Sequence, residues 1–331
     1  MSFGHWSIEY YLGIGAWNLI IEMKCVYTSD LHGEISLYQE LLELSIASSA
    51  EIIALGGDLL PSFPPSKQYE DMIPNQKLFV DQFLIPFFRK ILETTSVQQI
   101  FLIPGNWDIG YPYLFKDPTE GIVDLNQRIY RLRNGCDLIG YPFVPPTPFR
   151  PKDYEKMDDP ETPWPPQKNP SYIRASEYDD RLTSIDPQVY LRKRGTIHED
   201  LNQLPKAIDY KKTIYMMHSP PFGTKLDFIQ GGNPAGSRSI KVFIEENQPL
   251  LTLHGHIHES PELSGAYFDR IGKTISINPG QSAWSGRGLI KLHAVTFEVE
   301  AIEETLAHTC YKKDLSSHSE RSEESHPSNE L

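Results

Sequence analysis

The chain has 331 residues, of which 39% are hydrophobic, so it can bury a large core as one large domain or two smaller ones. Its formal net charge of −13 excludes a general nucleic-acid-binding protein, because contacts to many phosphates need clustered Lys and Arg. No apolar run reaches the length of a membrane span. The three cysteines are far apart and form no paired pattern, which favours a reducing, cytoplasmic location.

The N-terminal segment, residues 1–22, is apolar but has no basic start, and Glu9 and Glu22 interrupt it. It therefore makes a poor signal peptide. A strand-like run follows directly after Met23. We expect an N-terminal extension over residues 1–22 and a folded domain over residues 23–310.

Short apolar runs that end in Gly, Asp, Asn or His recur along the chain and predict buried strands that lead into loops. Helical patterns lie between many of these runs, and the alternation predicts an α/β domain. Late in the chain, RGLIKLHAVTFEVEAI suggests strand following strand, so part of the sheet is expected to be antiparallel. The six predicted strands begin the segments KCVYTSDLHG, EIIALGGDLL, QQIFLIPGNWD, TIYMMHSPP, LLTLHGHIH and TISINPGQ.

Three apolar patterns with helical spacing predict helices. The first stripe comprises Ile35, Tyr38, Leu41, Leu42 and Ile46, and the second comprises Leu78, Phe79, Phe83, Phe87 and Ile91. Pro86 lies inside the second pattern and predicts a kink. The third pattern, SIKVFIEENQ, starts at Ser239, a residue type that is favoured at helix N-caps.

Residues 142–205 are dense in proline and show little periodicity. So long a connection inside a compact domain is unusual and often functional, so we expect this Pro-rich insertion to cover the site and select the substrate. Near its end, Thr196 and Glu199 have the spacing of a capping box and predict a short helix, on which His198 is expected to be exposed. Beyond the domain, residues 311–331 are polar and charged, which predicts a disordered tail.

Polar residues that can bind metal come directly after the predicted strands. The carboxyl ends of parallel strands open onto one crevice, so residues that follow different strands can meet there. Singly, each candidate could be a turn residue or incidental, but together they favour a metal site. The candidates are Asp30, His32, Asp58, Asn106, His218, His256 and His258.

The residue types of this set suit two first-row transition ions. Carboxylates and an Asn carbonyl are hard oxygen ligands, and neutral imidazoles suit Mn, Fe, Co, Ni and Zn. Asp30 and His32 are two residues apart, as are His256 and His258, and this spacing places both side chains on one side of an extended chain. One bridging carboxylate can hold two ions about 3.5–4 Å apart, as two-metal phosphoester hydrolysis requires.

The order of the motifs resembles that of the calcineurin-like metallophosphoesterases. The motifs are D-x-H, G-G-D, G-N-x-D, a single His before S-P-P, and G-H-x-H, and together they span roughly Lys24 to Ala301. The resemblance implies an α/β fold, a two-sheet β-sandwich flanked by helices, with the site at the sheet edge. It assigns Asp30, His32, Asp58 and His258 to one ion, and Asp58, as the bridge, with Asn106, His218 and His256 to the other.

A narrower similarity is to a bacterial subgroup of predicted phosphoesterases, and it lies in HSPPFGTKLD, GSRSIKVFIEENQPLLTLHGHIHES and INPGQ. The resemblance implies a metal-dependent phosphoester hydrolase, and we expect a phosphodiesterase acting on a small phosphoester or a nucleotide. A hydroxide bridging the ions would attack phosphorus while the ions and His218 neutralise the phosphoryl oxygens. Asp58, Asn106 and His218 are therefore the expected catalytic residues, and a phosphomonoesterase remains an alternative.

One motif departs from the family pattern, in which a His usually follows the Asn. Trp107 stands at this position, and an indole N–H can donate a hydrogen bond but is no acid near neutral pH. The departure predicts a lower rate and less general-acid catalysis, with metal binding retained. It also leaves open a non-catalytic scaffold or binding protein on the same fold.

Further residues are weaker candidates for supporting roles. Asp108 is expected to be structural or to lie outside the ligand set, and His254 to be an ordinary strand residue or to support a ligand through a hydrogen bond. Arg238 is favoured as a phosphate clamp because it lies in a loop before a helix start. The other basic residues considered as clamps, with surface charge as the default for each, are Arg150, Lys152 and Arg174.

Overall fold

The computed structural model describes residues 23–162, 164, 171–175, 181–205, 207–282 and 290–310. The expected N-terminal extension and C-terminal tail lie outside the described residues. Two six-stranded mixed sheets pack face to face, and helices cover their outer faces. This is the predicted α/β sandwich.

The first sheet carries the N-terminal strand in its interior. In spatial order its strands are β14 (Ala307–His308), β13 (Ala294–Glu298), β1 (Lys24–Thr28), β2 (Ile52–Leu55), β3 (Gln99–Leu102) and β4 (Ile122–Asp124). Strands β1 to β4 are parallel, whereas β13 pairs antiparallel with β1 and with β14. The antiparallel pairing predicted for the end of the chain is therefore confirmed.

The second sheet has a parallel centre and antiparallel edges. In spatial order its strands are β11 (Phe268–Ile271), β12 (Thr274–Ile277), β10 (Leu251–Leu253), β9 (Thr213–Met217), β6 (Asp137–Tyr141) and β5 (Ile129–Arg131). Strands β12, β10, β9 and β6 are parallel, and β11 and β5 pair antiparallel at the two edges. All six predicted strands are present in the two sheets.

The central strands are buried on both faces because each sheet lies between the other sheet and a layer of helices. Alternate residues of β1 divide accordingly: Cys25 and Tyr27 face the core between the sheets, and Val26 faces the helices. Phe101 of the first sheet and Met216 of the second meet in the same central core. This is why the parallel strands are almost continuously apolar in sequence.

Eight α-helices surround the sheets in the part of the chain that the structure describes. They are α1 (Ile35–Ser48), α2 (Met72–Phe79), α3 (Ile85–Thr94), α4 (Pro187–Arg192), α5 (Ile197–Gln203), α6 (Arg238–Asn247), α7 (Ser260–Ser264) and α8 (Ile302–Thr305). Helices α1 and α3 pack on the first sheet, and α5 and α6 on the second. None of the described helices has the length and apolar character needed to cross a bilayer.

The helix predictions are partly wrong in their details. In α1, Tyr38 and Leu41 are buried as predicted, but Ile35 and Ile46 are exposed, because the buried face runs through Leu37 instead. Helix α6 starts earlier than predicted. The N-cap is Ser237, whose side-chain oxygen accepts the Ile240 N–H at 3.0 Å.

A π-helical turn, Val80–Leu84, joins α2 to α3. The irregularity predicted at Pro86 therefore lies one turn earlier, as a wide turn inside a continuous helix, and Pro86 follows it as the second residue of α3. The wide turn changes the phase of the helical face. Leu78, at the start of the predicted stripe, is exposed, whereas Phe87 further along it is buried.

The Pro-rich insertion is more structured than its composition suggests. Strands β7 (Tyr172–Ala175) and β8 (Leu182–Ile185) form an antiparallel ribbon, and α4 and α5 follow it. The predicted capping box of Thr196 and Glu199 begins α5. The three cysteines all lie in described residues and none forms a disulfide.

Candidate metal centre

The loops that follow β1 and β2 are joined by backbone hydrogen bonds. The N–H of Asp30 donates to the Gly57 carbonyl at 2.8 Å, and the N–H of His32 donates to the Asp58 carbonyl at 2.8 Å. The two loops therefore behave as one unit, and the side chains of Asp30, His32 and Asp58 have a fixed relative position.

Four of the seven predicted ligands have a left-handed backbone. Asp30, His32, Asp58 and His256 have φ angles between 45° and 67°. A residue in such a sparsely populated region costs roughly 1–3 kcal/mol and persists only where the surroundings enforce it. The concentration of this conformation at candidate ligands indicates loops that are shaped to direct these side chains.

Two glycines permit the close approach of these loops. Gly57 has a φ of 103°, and a Cβ there would lie 2.7 Å from Nδ1 of His218. A Cβ at Gly255 would lie 2.5 Å from Oδ2 of Asp30. Both distances are shorter than van der Waals contact, so a side chain at either glycine would displace a candidate ligand.

The first group of candidate ligands is Asp30, His32, Asp58 and His258, whose ligand atoms all lie within 4.8 Å of one another. Nε2 of His258 lies 3.2 Å from Oδ1 of Asp30 and 3.1 Å from Nε2 of His32. Two ligands of one ion have a similar separation when each bond is about 2.0–2.2 Å. This group therefore has the dimensions of a single metal site.

The second group is Asp58, His218 and His256, again within 4.8 Å. Oδ2 of Asp58 lies 3.5 Å from Nε2 of His218 and 3.8 Å from Nε2 of His32, so one carboxylate oxygen faces both groups. Its other oxygen, Oδ1, accepts a hydrogen bond from the backbone N–H of Trp107 at 2.8 Å. The two groups thus share Asp58, in the geometry of a bridging ligand.

Buried polar atoms at this place lack hydrogen-bonding partners. Neither Oδ1 nor Nδ2 of the fully buried Asn106 meets a partner among the described residues, and the same holds for Nε2 of His218. Nδ1 of His218 donates to the Gly56 carbonyl at 2.7 Å, which leaves Nε2 facing the ligand group. Unpaired buried polar atoms are costly, and a bound cation would satisfy the two that can act as acceptors, Oδ1 of Asn106 and Nε2 of neutral His218. The set of carboxylates, imidazoles and an amide fits first-row transition ions.

The histidines differ in their affinity for protons. Burial lowers the pKa of His32 to about 4 and that of His256 to about 3, so both are neutral, the form that binds metal. Burial alone would also lower the pKa of His218, but the carboxylates of Asp58 and Asp30 raise it to about 9. In the absence of a cation, His218 therefore carries a positive charge against these two carboxylates.

A cavity of about 580 Å³ opens over both groups, and Asp58, His256 and His258 line it. Trp107 and Phe149 add aromatic surface to the cavity. The other described residues that line it are Gln230, Gly231, Glu259, Glu262, Leu263 and Gln281.

Comparison with known proteins identifies the family. The family model named Calcineurin-like phosphoesterase matches residues 23–260. The chain belongs to the calcineurin-like phosphoesterase family. The matched range contains all seven candidate ligands, from Asp30 to His258. No curated protein matches the chain at a significant level.

Solved structures that are similar to this chain have low sequence identity. One crystal structure is 16% identical with a TM-score of 0.52, and the alignment covers 87% of this chain and 98% of the other. The protein TT1561 of Thermus thermophilus is 16% identical over 87% and 98% of the two chains, with a TM-score of 0.48. A protein described as a novel archaeal phosphodiesterase is 12% identical over 86% and 98%, with a TM-score of 0.40.

In this calcineurin-like site, Asp108 holds the loops together. Its carboxylate accepts the N–H groups of Leu59 at 3.0 Å, Leu60 at 2.8 Å and Gly105 at 2.9 Å. The loop after β2 is thereby tied to the loop after β3. The geometry places Asp108 outside both ligand groups.

His254 is fully buried behind the second ligand group. Its Nδ1 donates to the carbonyls of Met217 at 3.0 Å and Ser219 at 2.9 Å, the residues on either side of His218. Its Nε2 accepts the Thr252 hydroxyl at 2.8 Å. His254 therefore braces the backbone that carries His218.

Arg238 lies outside the described lining of the cavity, and its guanidinium stacks at 3.8 Å from the ring centroid of Phe222. The start of α6, where the sequence predicts a bound phosphate, already holds an anion. The carboxylate of Asp158, from the insertion, accepts the Ser237 hydroxyl at 2.5 Å and the Arg238 N–H at 2.7 Å. The geometry therefore gives no support to a phosphate clamp at Arg238.

The remaining basic candidates lie within the insertion. The guanidinium of Arg150 lies 4.0 Å over the Tyr69 ring, and that of Arg174 lies 5.4 Å over the Tyr190 ring. The expectation of a solvated surface charge is wrong for Lys152, whose side chain is fully buried. Its Nζ forms an ion pair with Glu155 at 2.9 Å, which makes this burial possible. His198 is exposed on α5, as predicted.

Several residues near the site carried little or no signal in the sequence. Gln281 lies in the segment INPGQ, which the family resemblance had marked. Phe149 and Glu262 look like ordinary residues of a loop and a short helix, yet both line the cavity. Ser62, whose Oγ lies 2.5 Å from Nδ1 of His32, is likewise visible only once the loops are folded.

Proposed function

We propose that this phosphoesterase is a metal-dependent phosphodiesterase with a dinuclear metal centre. The observation that carries the proposal is the pair of ligand groups that share Asp58 beside one cavity. When bound, two divalent ions would supply the charge that ionises a water held between them and that neutralises the phosphoryl oxygens.

The chain contributes a rigid set of ligands. The backbone N–H of Trp107 donates to Oδ1 of Asp58, so that Oδ2 faces both ligand groups. The Gly56 carbonyl accepts from Nδ1 of His218 and thereby orients its ring. Because these groups are fixed before substrate arrives, little reorganisation is needed during the reaction. The residues that would hold the ions are Asp30, His32 and His258 on one side, Asn106, His218 and His256 on the other, and Asp58 between them.

The charge of the cavity supports a diester substrate over a monoester. Glu259 and Glu262 add carboxylates to the lining, beside the neutral Gln230 and Gln281. None of the described lining residues is a Lys or Arg, the side chains that would pair with the second negative charge of a monoester. A diester carries one negative charge and meets less repulsion there.

Metal analysis combined with paired aryl ester assays tests this proposal. Protein reloaded with Mn²⁺ is expected to hold about two ions per chain and to hydrolyse bis(p-nitrophenyl) phosphate with a higher kcat/KM than p-nitrophenyl phosphate. Asp58→Asn is expected to lower the metal content of both groups and abolish turnover. Asp117→Asn, at an exposed position, is the matched control and is expected to behave as wild type.

The outcomes separate the alternatives. Metal content near zero would contradict the dinuclear centre, and bound metal without hydrolysis of any ester would indicate a binding protein or scaffold. A higher kcat/KM for the monoester would indicate a phosphomonoesterase. In Glu262→Gln, removal of one carboxylate is expected to raise kcat/KM for the monoester about 2- to 5-fold, with less change for the diester.

A further inference from the structure

Three aromatic side chains from three separate segments form one surface beside the ligand groups. The ring centroids of Phe63 and Trp107 are 5.0 Å apart, and those of Trp107 and Phe149 are 5.4 Å apart. Phe63 follows the loop of Asp58, and Phe149 belongs to the Pro-rich insertion. We call Phe63, Trp107 and Phe149 the aromatic wall.

The wall combines a buried anchor with two rings that are open to solvent. Trp107 is 4% exposed and belongs to a buried cluster with Met72, Ile73 and Ile109. Phe63 is 50% exposed and Phe149 is 38% exposed. Phe149 lines the cavity, Phe63 contacts the other side of Trp107, and each ring leaves apolar area in water that a flat ligand ring can cover.

The segments that carry the wall are held in place. Arg150, the residue after Phe149, lies over the Tyr69 ring at 4.0 Å and donates to the Ser171 carbonyl at 3.2 Å. The Tyr69 ring lies 6.4 Å from that of Phe63. The insertion and the loop after β2 are thereby joined next to the wall, so its rings are preorganised for binding.

The wall is also fixed to the candidate metal centre. The Trp107 N–H donates to Oδ1 of Asp58 at 2.8 Å, and the Trp107 carbonyl accepts from Nε2 of Gln76 at 2.8 Å. Trp107 and Phe149 line the same cavity as Asp58 and His256. A group attached directly to a phosphate at Asp58 is therefore within reach of the wall.

We propose that the substrate is a phosphodiester in which one ester group carries a flat aromatic ring, and that this ring binds on the aromatic wall. The inference rests on the proposed function, because it places the phosphate at the ligand groups. Contact between aromatic rings adds to the gain from apolar burial, so the ring is expected to improve binding about 3- to 10-fold over an alkyl group.

Binding of phosphinates, whose P–C bonds resist hydrolysis, measures the wall directly. Diphenylphosphinate and dimethylphosphinate carry the same single charge and differ in their rings. Titration calorimetry of the Mn²⁺-loaded protein is expected to show tighter binding of diphenylphosphinate by about 3- to 10-fold or more. Equal affinity for the two compounds would overturn the inference.

Two variants locate the ring. Phe149→Leu and Phe63→Leu keep an apolar side chain but remove the aromatic face, and at least one is expected to reduce the preference for diphenylphosphinate. Ile46→Ala, which shortens a side chain of similar exposure on α1, is the control and is expected to retain the preference. An unchanged preference in both Phe variants would contradict the wall as the binding surface.

Parallel hydrolysis assays distinguish failure of this inference from failure of the proposed function. Tighter binding of diphenylphosphinate without hydrolysis of any ester would support binding of a ring on the aromatic wall and contradict the proposed phosphodiesterase activity. Hydrolysis of diesters with equal affinity for the two phosphinates would contradict the aromatic wall as a binding surface and support the phosphodiesterase activity. Binding of methyl(phenyl)phosphinate, and of a methylphosphinate joined to C5′ of thymidine by a P–C bond, identifies the ring as aryl or nucleobase. Loss of affinity in Phe149→Leu or Phe63→Leu for either compound supports the inference, and no loss in either variant overturns it.

Discussion

At the scale of single residues, Trp107 stands where most relatives are expected to carry a histidine. Its backbone N–H holds Asp58, and its ring belongs to an apolar cluster. The neighbouring Asp108 is fully occupied by three backbone N–H groups. The position thus supports the ligands and the cavity wall but provides no acid to protonate a leaving group.

This arrangement predicts a steep dependence of rate on the leaving group. Because no general acid assists, log kcat/KM for aryl diesters is expected to fall steeply as the pKa of the leaving phenol rises. A well-placed general acid contributes roughly 10²- to 10⁴-fold, which bounds what is missing. The measurement is a series of substituted phenyl diesters under conditions where chemistry limits the rate.

Trp107→His is the matching variant. It is expected to recover only a small part of the missing rate, because Asp108 already accepts three backbone N–H groups and is poorly placed to orient a new imidazole ring. A shallow slope in the wild type would show that another residue supplies the proton. Glu259 and Glu262, the carboxyl groups that line the cavity outside the ligand groups, would then be the first residues to replace, because His198 lies outside this lining.

The sequence predicted the candidate ligands better than it predicted the residues that line the cavity. Asp30, Asp58 and His256 follow buried apolar strands, and the topology of an α/β sheet brings such residues to one edge. Phe149 and Glu262 come from an irregular loop and a short helix. Their position depends on tertiary packing, which leaves no periodic trace in the chain.

At the scale of secondary structure, Asp158 joins the insertion to the second sheet. Its carboxylate occupies the N-terminus of α6, where it binds the Ser237 hydroxyl and the Arg238 N–H. An anion at this place is stabilised by the free N–H groups of the first turn and by the helix dipole. A residue 80 positions from Arg238 in sequence therefore completes the cap.

Asp158→Ala is expected to lower the free energy of unfolding by about 2–3 kcal/mol, because it leaves buried donors without a partner. Asp186→Ala is the matched control. Asp186 caps the short helix α4 at an exposed site through the N–H groups of Gln188 and Val189, and its loss is expected to cost about 0.5–1 kcal/mol. Equal losses of unfolding free energy for the two variants in urea denaturation would contradict the role of Asp158 in joining the insertion to α6.

Asp153, also in the insertion, predicts a pH dependence of stability. Burial raises its pKa from 3.8 to about 6, so the folded protein binds this proton more tightly than the unfolded chain. Its contribution to stability is therefore full below about pH 4 and is lost as the pH rises through 6.

Asp153→Asn removes this titration. At pH 8 the variant is expected to be more stable than wild type by roughly 2–3 kcal/mol, and at pH 4 the two are expected to be similar. The measurement is the melting temperature of both proteins between pH 4 and pH 8. If the two proteins showed the same dependence of melting temperature on pH, burial of the ionised Asp153 carboxylate would not destabilise the folded state.

Element prediction succeeded where a segment's own pattern determines its structure and failed where a distant contact does. The strands at residues 24–28 and 213–217 are apolar because both of their faces are covered. The start of α6 depends on contacts with Asp158, which comes from another part of the chain. Those contacts are not encoded within the segment itself.

At the scale of the whole molecule, the candidate centre connects the two sheets. Asp30, Asp58 and Asn106 follow strands of the first sheet, whereas His218 and His256 follow strands of the second. Ions bound between them would stabilise the folded state only, since the unfolded chain holds these residues far apart.

Removal of metal is therefore expected to lower the melting temperature. At free metal concentrations about 100–1,000 times the dissociation constant, one bound ion contributes roughly 2.7–4.1 kcal/mol to stability. Calorimetry before and after chelation, followed by reloading with Mn²⁺, measures the effect. Asp58→Asn is expected to show a much smaller difference, and an equal loss in wild type and variant would indicate that the chelator acts elsewhere.

The shared centre also has a consequence for the order of events during synthesis. His32 and His258, which lie 3.1 Å apart in the folded protein, are 226 residues apart in the chain. A ribosome that adds about 5–20 residues per second needs on the order of 10 s or more to pass from one to the other. Through most of that interval the nascent chain displays Asp30, His32 and Asp58 without His258, the fourth member of their group. The proposed site would therefore be complete only after the second sheet has docked, and the ion would be taken from the metal pool that the finished protein meets.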